Sequence, residues 1–252
     1  MAPSELAATV VREAVKRAKI DPREVGQMVL GNVIHTEAKD MYISRVACIK
    51  GGLPQDTTAL TVNRLCGPGI QSAVSGAQLI QLGEAEIVLT GGMENMSEAP
   101  HVIRGLRGGL KLGQGQLEDF LWEGLVDTHC GCSMAVTAEN CAAQYGVSRE
   151  EQDKYAIRSQ QAAHAPCEAG KFADGVVPVG IKSRRGVTVF DRDDHMRPET
   201  TMEVLAKLPA AFSKNGCVTA GNASGIVDGG AALILASEKA GDEPGQVLVS
   251  SE

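Results

Sequence analysis

Residues 58–92 read TALTVNRLCGPGIQSAVSGAQLIQLGEAEIVLTGG, and this stretch decides the fold. TALTV (58–62) is a short, β-branched run of strand character, and Asn63-Arg64-Leu65-Cys66 turns the chain out of it. Gly67 to Leu82 is helical in pattern and is closed by Gly83; EIVLT (86–90) is the next buried strand. A strand, a helix and a second apolar strand predict a β-α-β unit, and so a layered α/β fold.

The flanking sequence extends that unit. Ser4 to Ile20 places Leu6, Val10, Val11, Ala14 and Ala18 on one helical face, and Asp21-Pro22 supplies a cap and a first-turn proline. MVLGNVI (28–34) reads as a buried strand, followed by a helix from about Met41 to Lys50 that stops at Gly51-Gly52. From about Ser97 to Ala223 the texture changes. A glycine-rich stretch (104–116) leads to a helix near Met134 to Tyr145, and Ser148 with Glu151 forms a capping box for a longer helix. Pro166 is expected to kink or end that helix. VVPVGI and GVTVF, joined around Lys182 to Arg185, predict a hairpin; TTMEVLAKL is a short helix, and GGAALILAS (229–237) returns to buried-strand character. The middle of the chain is therefore predicted to be an insertion laid over the α/β core.

Composition narrows the function classes. The 252 residues are 43% hydrophobic and 22% charged, which is ordinary for a globular chain. Aromatics are only 3% and Gly numbers 29, so the core must be built from Ala, Val, Leu and Ile with close backbone approaches. A net charge of -7 argues against nucleic acid or a membrane surface as partner. The basic run Lys182, Arg184 and Arg185 reads as a solvated turn.

The first residues carry charges inside the apolar run, unlike a secretory signal, and no stretch approaches the roughly 18 apolar residues of a membrane span. Seven cysteines without a repeated CxxC spacing suit neither a disulfide framework nor a zinc site. Cys130-x-Cys132 beside His129 reads as a thiol-rich loop in a reducing compartment, either cytosol or an organelle matrix.

Cys66 stands where a strand gives way to a helix beginning Gly67-Pro68-Gly69. A thiol there meets unpaired N–H groups and the positive end of the helix dipole, which favour the nucleophilic thiolate. The small residues allow a substrate close to the backbone, where an N–H could stabilise an oxyanion. Position alone leaves a second reading open, since a lone Cys is more often a small buried hydrophobe.

A resemblance running through nearly the whole chain favours the first reading. NRLCGPGIQSA resembles the thiolase segment Asn-x-x-Cys-Gly-x-Gly-x-Gln around the acylated cysteine. GGMENMSEAPH (91–101), MAVTAEN (134–140) with SREEQDKYAIRSQQAA, RPETTMEVLAKLPAAF and VTAGNASGIVDGGAA (218–232) resemble further thiolase segments in the same order. The middle segments are most similar to 3-ketoacyl-CoA thiolases and acetyl-CoA acetyltransferases.

The resemblance implies a thiolase-like layered α-β-α core, one half of an αβαβα fold, over 1–97 and 224–252. It implies a loop domain over 98–223 that covers a coenzyme A site. It further implies Cys66 as the acyl-accepting nucleophile and CoA as co-substrate, with no tightly bound cofactor and no metal. Ser224 is similar to the serine meeting the pantetheine amide, with Ala220 and Ala223 alongside; Arg197 matches a position near adenine; Leu125, Met134 and Phe212 match tunnel-lining positions. Homo-oligomers, dimeric or tetrameric, are implied too, in the mitochondrial matrix of a eukaryote or the cytoplasm of a bacterium.

Taken without the family, Arg197 could be an ion-pair residue, the three apolar side chains could be core, and TAGNASG could be only a turn.

The chain also departs from the pattern. It contains neither the Gly-His-Pro motif that supplies the activating base nor the Cys-x-Gly motif that supplies the proton donor. The family's opening strand, expected to be central in the sheet, is missing ahead of Ser4, leaving backbone groups in need of a partner. Pro68 stands where Ser is usual. Ser133 stands where acetoacetyl-CoA-specific members tend to carry His, which favours a broader acyl range. The isolated chain is therefore expected to be weakly active or inactive, the alternative being a non-catalytic acyl-CoA-binding or partner-requiring fragment.

Overall fold

The structure is a computed structural model describing residues 1–241 and 247–249; the remainder of the predicted 224–252 core segment lies outside the described residues. The chain divides into two compact units, Met1–Val102 with Val227–Glu252, and Ile103–Ile226.

The first unit is an α/β/α sandwich. Helix α1 (Pro3–Ala18), strand β1 (Gln27–Gly31), helix α2 (Ile43–Lys50), strand β2 (Thr58–Val62), helix α3 (Pro68–Gln81) and strand β3 (Ile87–Asn95) follow in chain order. β1 pairs in parallel with both β2 and β3, as the β-α-β reading predicts. Strand Asp228–Ser237 pairs antiparallel with β3, and Val247–Val249 lies parallel beside Leu235–Ser237 at the edge.

The two faces of the sheet alternate along each strand. Met28, Leu30, Ile87 and Leu89 face α1 and α2 together with Ala7, Val11, Val15, Ile43 and Ala47. Val29, Val88 and Leu235 face the other way, onto Ile80, Ala73 and Ala77 of α3.

Three expectations need correction here. The resemblance places an opening strand at the centre of the sheet, with backbone groups in need of a partner in its absence. Instead β2, β1, β3 and Asp228–Ser237 are paired in unbroken sequence, so a further strand has only an edge to join. The buried face of α1 is centred on Ala7, Ala8, Val11 and Val15, while Leu6 and Val10 are only partly buried. Small residues there let α1 approach α2 so closely that a Cβ on Gly51 would lie 2.4 Å from Val11 Cγ1. Lastly, β1 stops at Gly31 rather than running to Ile34, because the next amides leave the ladder for a side chain. Val33 and Ile34 donate to the Glu94 carboxylate at 2.6 and 3.1 Å, and Asn32 Nδ2 donates to Met93 O at 3.0 Å.

The second unit carries the helices Met134–Tyr145 and Arg149–Glu168, the hairpin Val179–Ser183 with Gly186–Phe190, and the short helix Met202–Ala206. Ser148 and Glu151 form the predicted capping box. Pro166 does not break its helix at once; it lies in the last turn, which ends two residues later at Glu168. A proline so near the C-terminus removes one backbone bond and leaves nothing long beyond it to deflect.

Candidate active site

Cys66 lies in a tight turn between β2 and α3 and is exposed, so the buried-hydrophobe reading does not hold for it. Asn63 Oδ1 accepts the Leu65 amide at 3.0 Å, and Arg64 O accepts the Gly67 amide at 3.0 Å. Leu65 is held at φ 48, in the left-handed region that a bulky side chain rarely adopts. Strain of that kind persists only where the surroundings impose it, and it clusters at functional sites.

The first turn of α3 has no side-chain cap: Gly67 occupies the N-cap and Pro68 brings no N–H. The Gly69 and Ile70 amides therefore point from the helix start without a capping side chain, a suitable arrangement for an oxyanion.

Glycines bring this turn down onto the sheet. A Cβ on Gly31 would lie 2.8 Å from the Pro68 carbonyl carbon, and one on Gly76 2.5 Å from Thr90 Cγ2. On β3, a Cβ on Gly91 would meet Ala231 O at 2.1 Å. The Gly-Gly pair of GGMEN is thus demanded by close strand packing. Ser72, fully buried on α3, donates to Gly69 O at 2.6 Å and accepts the Gly91 amide at 3.0 Å. Sequence reading did not single out Ser72; a serine on the sheet-facing side of a helix, among Ala and Gly, is the signal it offered.

Glu94 sits at the far end of β3 with its carboxyl half-buried. Burial pushes it above the usual carboxylate range, and the Ile34 and Val33 amides pull in the other direction without cancelling the effect.

In the second unit, TAGNASG is indeed a turn, and a braced one. Thr219, fully buried, donates its amide to Asn222 Oδ1 at 2.7 Å and accepts the Ala223 amide on its carbonyl at 3.0 Å. Asn222 Nδ2 donates to Asp153 Oδ1 at 2.9 Å, and Asp153 Oδ2 receives Arg149 Nε at 2.8 Å. The same guanidinium reaches Leu205 O and Leu208 O, and a Cβ on Gly221 would lie 2.4 Å from Leu205 Cδ2. Asp153 and Asn222 therefore position the turn that carries Ala220, Ala223 and Ser224. Ala220 and Ser224 are exposed and Ala223 is half-buried. The i, i+4 spacing of Arg149 and Asp153 was visible in the sequence, but their partners were not.

The other predicted contacts fall in the same unit. Leu125, Met134 and Phe212 are 36%, 43% and 41% exposed, so the ordinary-core reading fails for all three. Met134 donates its amide to Leu125 O at 2.9 Å, which places those two side by side. Arg197 is exposed, and its guanidinium donates to the Asp194 and Met196 carbonyls, with no ion pair among the described residues. Glu139 accepts the amides of Cys217 and Val218 at 2.8 and 3.0 Å and the Cys217 thiol at 3.0 Å. Burial would raise its carboxyl, but these three bonds outweigh it and hold the group below the usual range.

Comparison with known proteins accords with this geometry. The family described as thiolase, N-terminal domain, matches residues 1–239. The 3-ketoacyl-CoA thiolase of human mitochondria is 46% identical over 238 residues, which is 94% of this chain and 60% of that protein. Beta-ketothiolase BktB of Cupriavidus necator is 46% identical over 255 residues, 99% of this chain and 65% of that protein. The crystal structure of human mitochondrial 3-ketoacyl-CoA thiolase in complex with CoA superposes with a TM-score of 0.89 at 45% identity, covering 93% of this chain and 58% of that one. The chain thus spans about 60% of the length of the curated relatives it matches.

Proposed function

This chain belongs to the thiolase family, and from that premise we propose that it carries the nucleophile and the coenzyme A contacts of a thiolase-type acyltransferase. Cys66 Sγ attacks the ketone carbon of a 3-ketoacyl-CoA. The bond between C2 and C3 then breaks, and acetyl-CoA leaves as a carbanion equivalent that takes up a proton. A second CoA thiol attacks the acyl-cysteine, releasing the shortened acyl-CoA and returning its proton through a base. The same steps in reverse join two acyl-CoA molecules.

CoA is held through Ser224, Ala220 and Ala223 on the braced turn, through Leu125, Met134 and Phe212, and through Arg197 toward adenine. The observation that carries this reading is Cys66: it is exposed, in a strained turn, before an uncapped helix start, inside a segment that matches the family.

The residues of this chain do not complete the cycle. Neither a Gly-His-Pro nor a Cys-x-Gly sequence occurs in its 252 residues, so the base and the proton donor of the family reaction have no counterpart among them. Loss of the activating base in comparable dyads costs several orders of magnitude in rate. The second reading, a partner-requiring fragment, draws support from α3. Ile70 and Val74, one turn apart on its outer side, are 78% and 44% exposed, an apolar face suited to a second domain. In the family, homo-oligomers assemble near the strand before the nucleophile; Leu60 on β2 is 52% exposed.

Mass spectrometry of the chain after exposure to an acyl-CoA, with Cys66→Ser as control, tests the first half of the reaction. We expect an acyl group on Cys66 alone, with 3-ketoacyl-CoA cleavage orders of magnitude slower than in the relatives. Acylation spread over other thiols would overturn the assignment, and turnover like that of the relatives would overturn the reading that these residues hold neither the base nor the proton donor.

A further inference from the structure

Two cysteines outside the site above are held together by a turn. Val126–Asp127 and Cys132–Ser133 form a two-stranded ladder, with Val126 opposite Ser133 and Asp127 opposite Cys132. Gly131 sits at φ 68, a conformation open to glycine, and donates its amide to Asp127 O at 2.8 Å. Asp127 Oδ1 accepts the amides of His129 and Cys130 at 2.7 and 3.3 Å. The turn is therefore held by three amides donating to the Asp127 carbonyl and carboxylate, bonds that do not involve sulfur. It brings Cys130 Sγ to 3.0 Å from Cys132 Sγ, with Thr137 Oγ1 3.5 Å from the latter. Cys130 is exposed and Cys132 half-exposed, so a small molecule reaches the pair.

A metal does not account for the arrangement. Among the described residues no group of three or more His, Cys, Asp or Glu side chains is placed to hold one. Nor does the acyl-transfer reading use either thiol.

We propose that Cys130 and Cys132 form a reversible dithiol–disulfide site that reacts with low-molecular-weight disulfides such as oxidised glutathione. The two thiols are not equivalent. The contact with Cys130, then that with Thr137, lowers the Cys132 thiol, whereas the contact with Cys132 raises Cys130. Cys132, the thiol with Thr137 Oγ1 beside it, is on that geometry the attacking sulfur.

Its thiolate bonds to one sulfur of oxidised glutathione, whose S–S bond breaks and releases one glutathione thiolate. Cys130 then loses its proton to solvent and attacks the Cys132 sulfur, expelling the second glutathione thiolate. The protein loses two hydrogens and is oxidised by two electrons; one glutathione disulfide is reduced to two glutathione thiols. A bridge that is exposed and closes so small a loop belongs to the labile class, readily reduced again.

The test uses the full chain, reduced and then incubated with oxidised glutathione, alkylated with iodoacetamide, digested and weighed. The segment holding Cys130 and Cys132 is expected to lose two hydrogens, escape alkylation, retain no glutathione, and regain both thiols with dithiothreitol. Cys141, exposed on the next helix, should show only glutathione or the alkyl group. In Cys130→Ser the mixed disulfide at Cys132 should persist. In Cys132→Ser, Cys130 should react several-fold more slowly.

Separate glutathione adducts on both cysteines of the wild-type chain, bridges to other cysteines or chains, or a pair as inert as buried Cys48 would each overturn the proposal. Equal rates in the two serine variants would overturn the order of attack. None of these readouts depends on Cys66.

Discussion

Ser72 Oγ accepts the Gly91 amide at 3.0 Å in the buried layer between α3 and β3. The bond adds to the packing of Ala73, Ala77 and Ile80 in holding the helix that begins beside Cys66 to the middle of the sheet. Ser72→Ala leaves that N–H buried without a partner. The expected loss is about 1–3 kcal/mol of stability, read as a lower denaturation midpoint with an unchanged m-value.

Gly31→Ala acts on the same helix from the other side. The added methyl would meet Pro68 backbone at 2.8 Å, so the start of α3 must lift from β1. Overpacking of this kind costs about 1–3 kcal/mol. Its mark, beyond the loss of stability, is a change in the alkylation rate of Cys66 while that of distant Cys141 stays constant.

Cys66 and Cys48 should stand at opposite ends of a thiol-reactivity scale. Cys48 is fully buried, and burial raises its thiol despite nearby Arg45. Brief treatment with iodoacetamide near neutral pH should label Cys66 and leave Cys48 untouched until the chain unfolds; CoA should slow the labelling of Cys66. Early labelling of Cys48 would contradict the packing of α2 against the sheet.

Two glutamates should respond to pH in opposite senses. The Glu94 carboxyl is raised in the folded chain, so its contribution is fully present below the unfolded value and is lost as pH rises through the folded one. The Glu139 carboxyl is lowered, so its contribution is present above the unfolded value and is lost as pH falls through the folded one. Chemical denaturation across the acid range, compared with Glu94→Gln and Glu139→Gln, should show the wild-type advantage shrinking upward in pH at Glu94 and downward at Glu139.

Asn222→Ala should separate stability of the turn from chemistry at the thiol. It removes the bond to the Asp153 carboxylate and the acceptor for the Thr219 amide. Hydrogen bonds to charged groups contribute about 1.5–3 kcal/mol. We expect CoA affinity, measured by calorimetry, to fall while the alkylation rate of Cys66 without CoA is unchanged.

Much of this was legible in the sequence, for identifiable reasons. The strands and helices around Cys66 are bounded by Gly, Pro and β-branched runs, whose backbone preferences are local. The capping box at Ser148 and Glu151 is local as well. What could not be read was whatever depends on a distant partner. The end of β1 was misjudged because Glu94 takes the amides of Val33 and Ile34 from 61 and 60 positions along the chain. On α1 the predicted Val11, Ala14 and Ala18 do pack on the core, but the centre of the buried face shifts to Ala7, Ala8, Val11 and Val15, which only the neighbouring elements determine. Ser72 and Asp153 are ordinary polar residues on helices until the fold supplies Gly91 and Asn222.

The register of β3 carries a last consequence. Asn95 stands opposite Asp228, and Ser97 bonds the Asp228 carboxylate. The chain thus leaves the sheet at one strand end and re-enters at the adjoining one. Topologically, all of 103–226 is the connection of a single β-hairpin. The ends of that excursion are clamped by the ladder whatever its interior does, and the closure entropy of such a connection grows only slowly with its length. No residue of any strand in that sheet lies within 103–226, so the excursion can change length without rewriting the sheet that holds it.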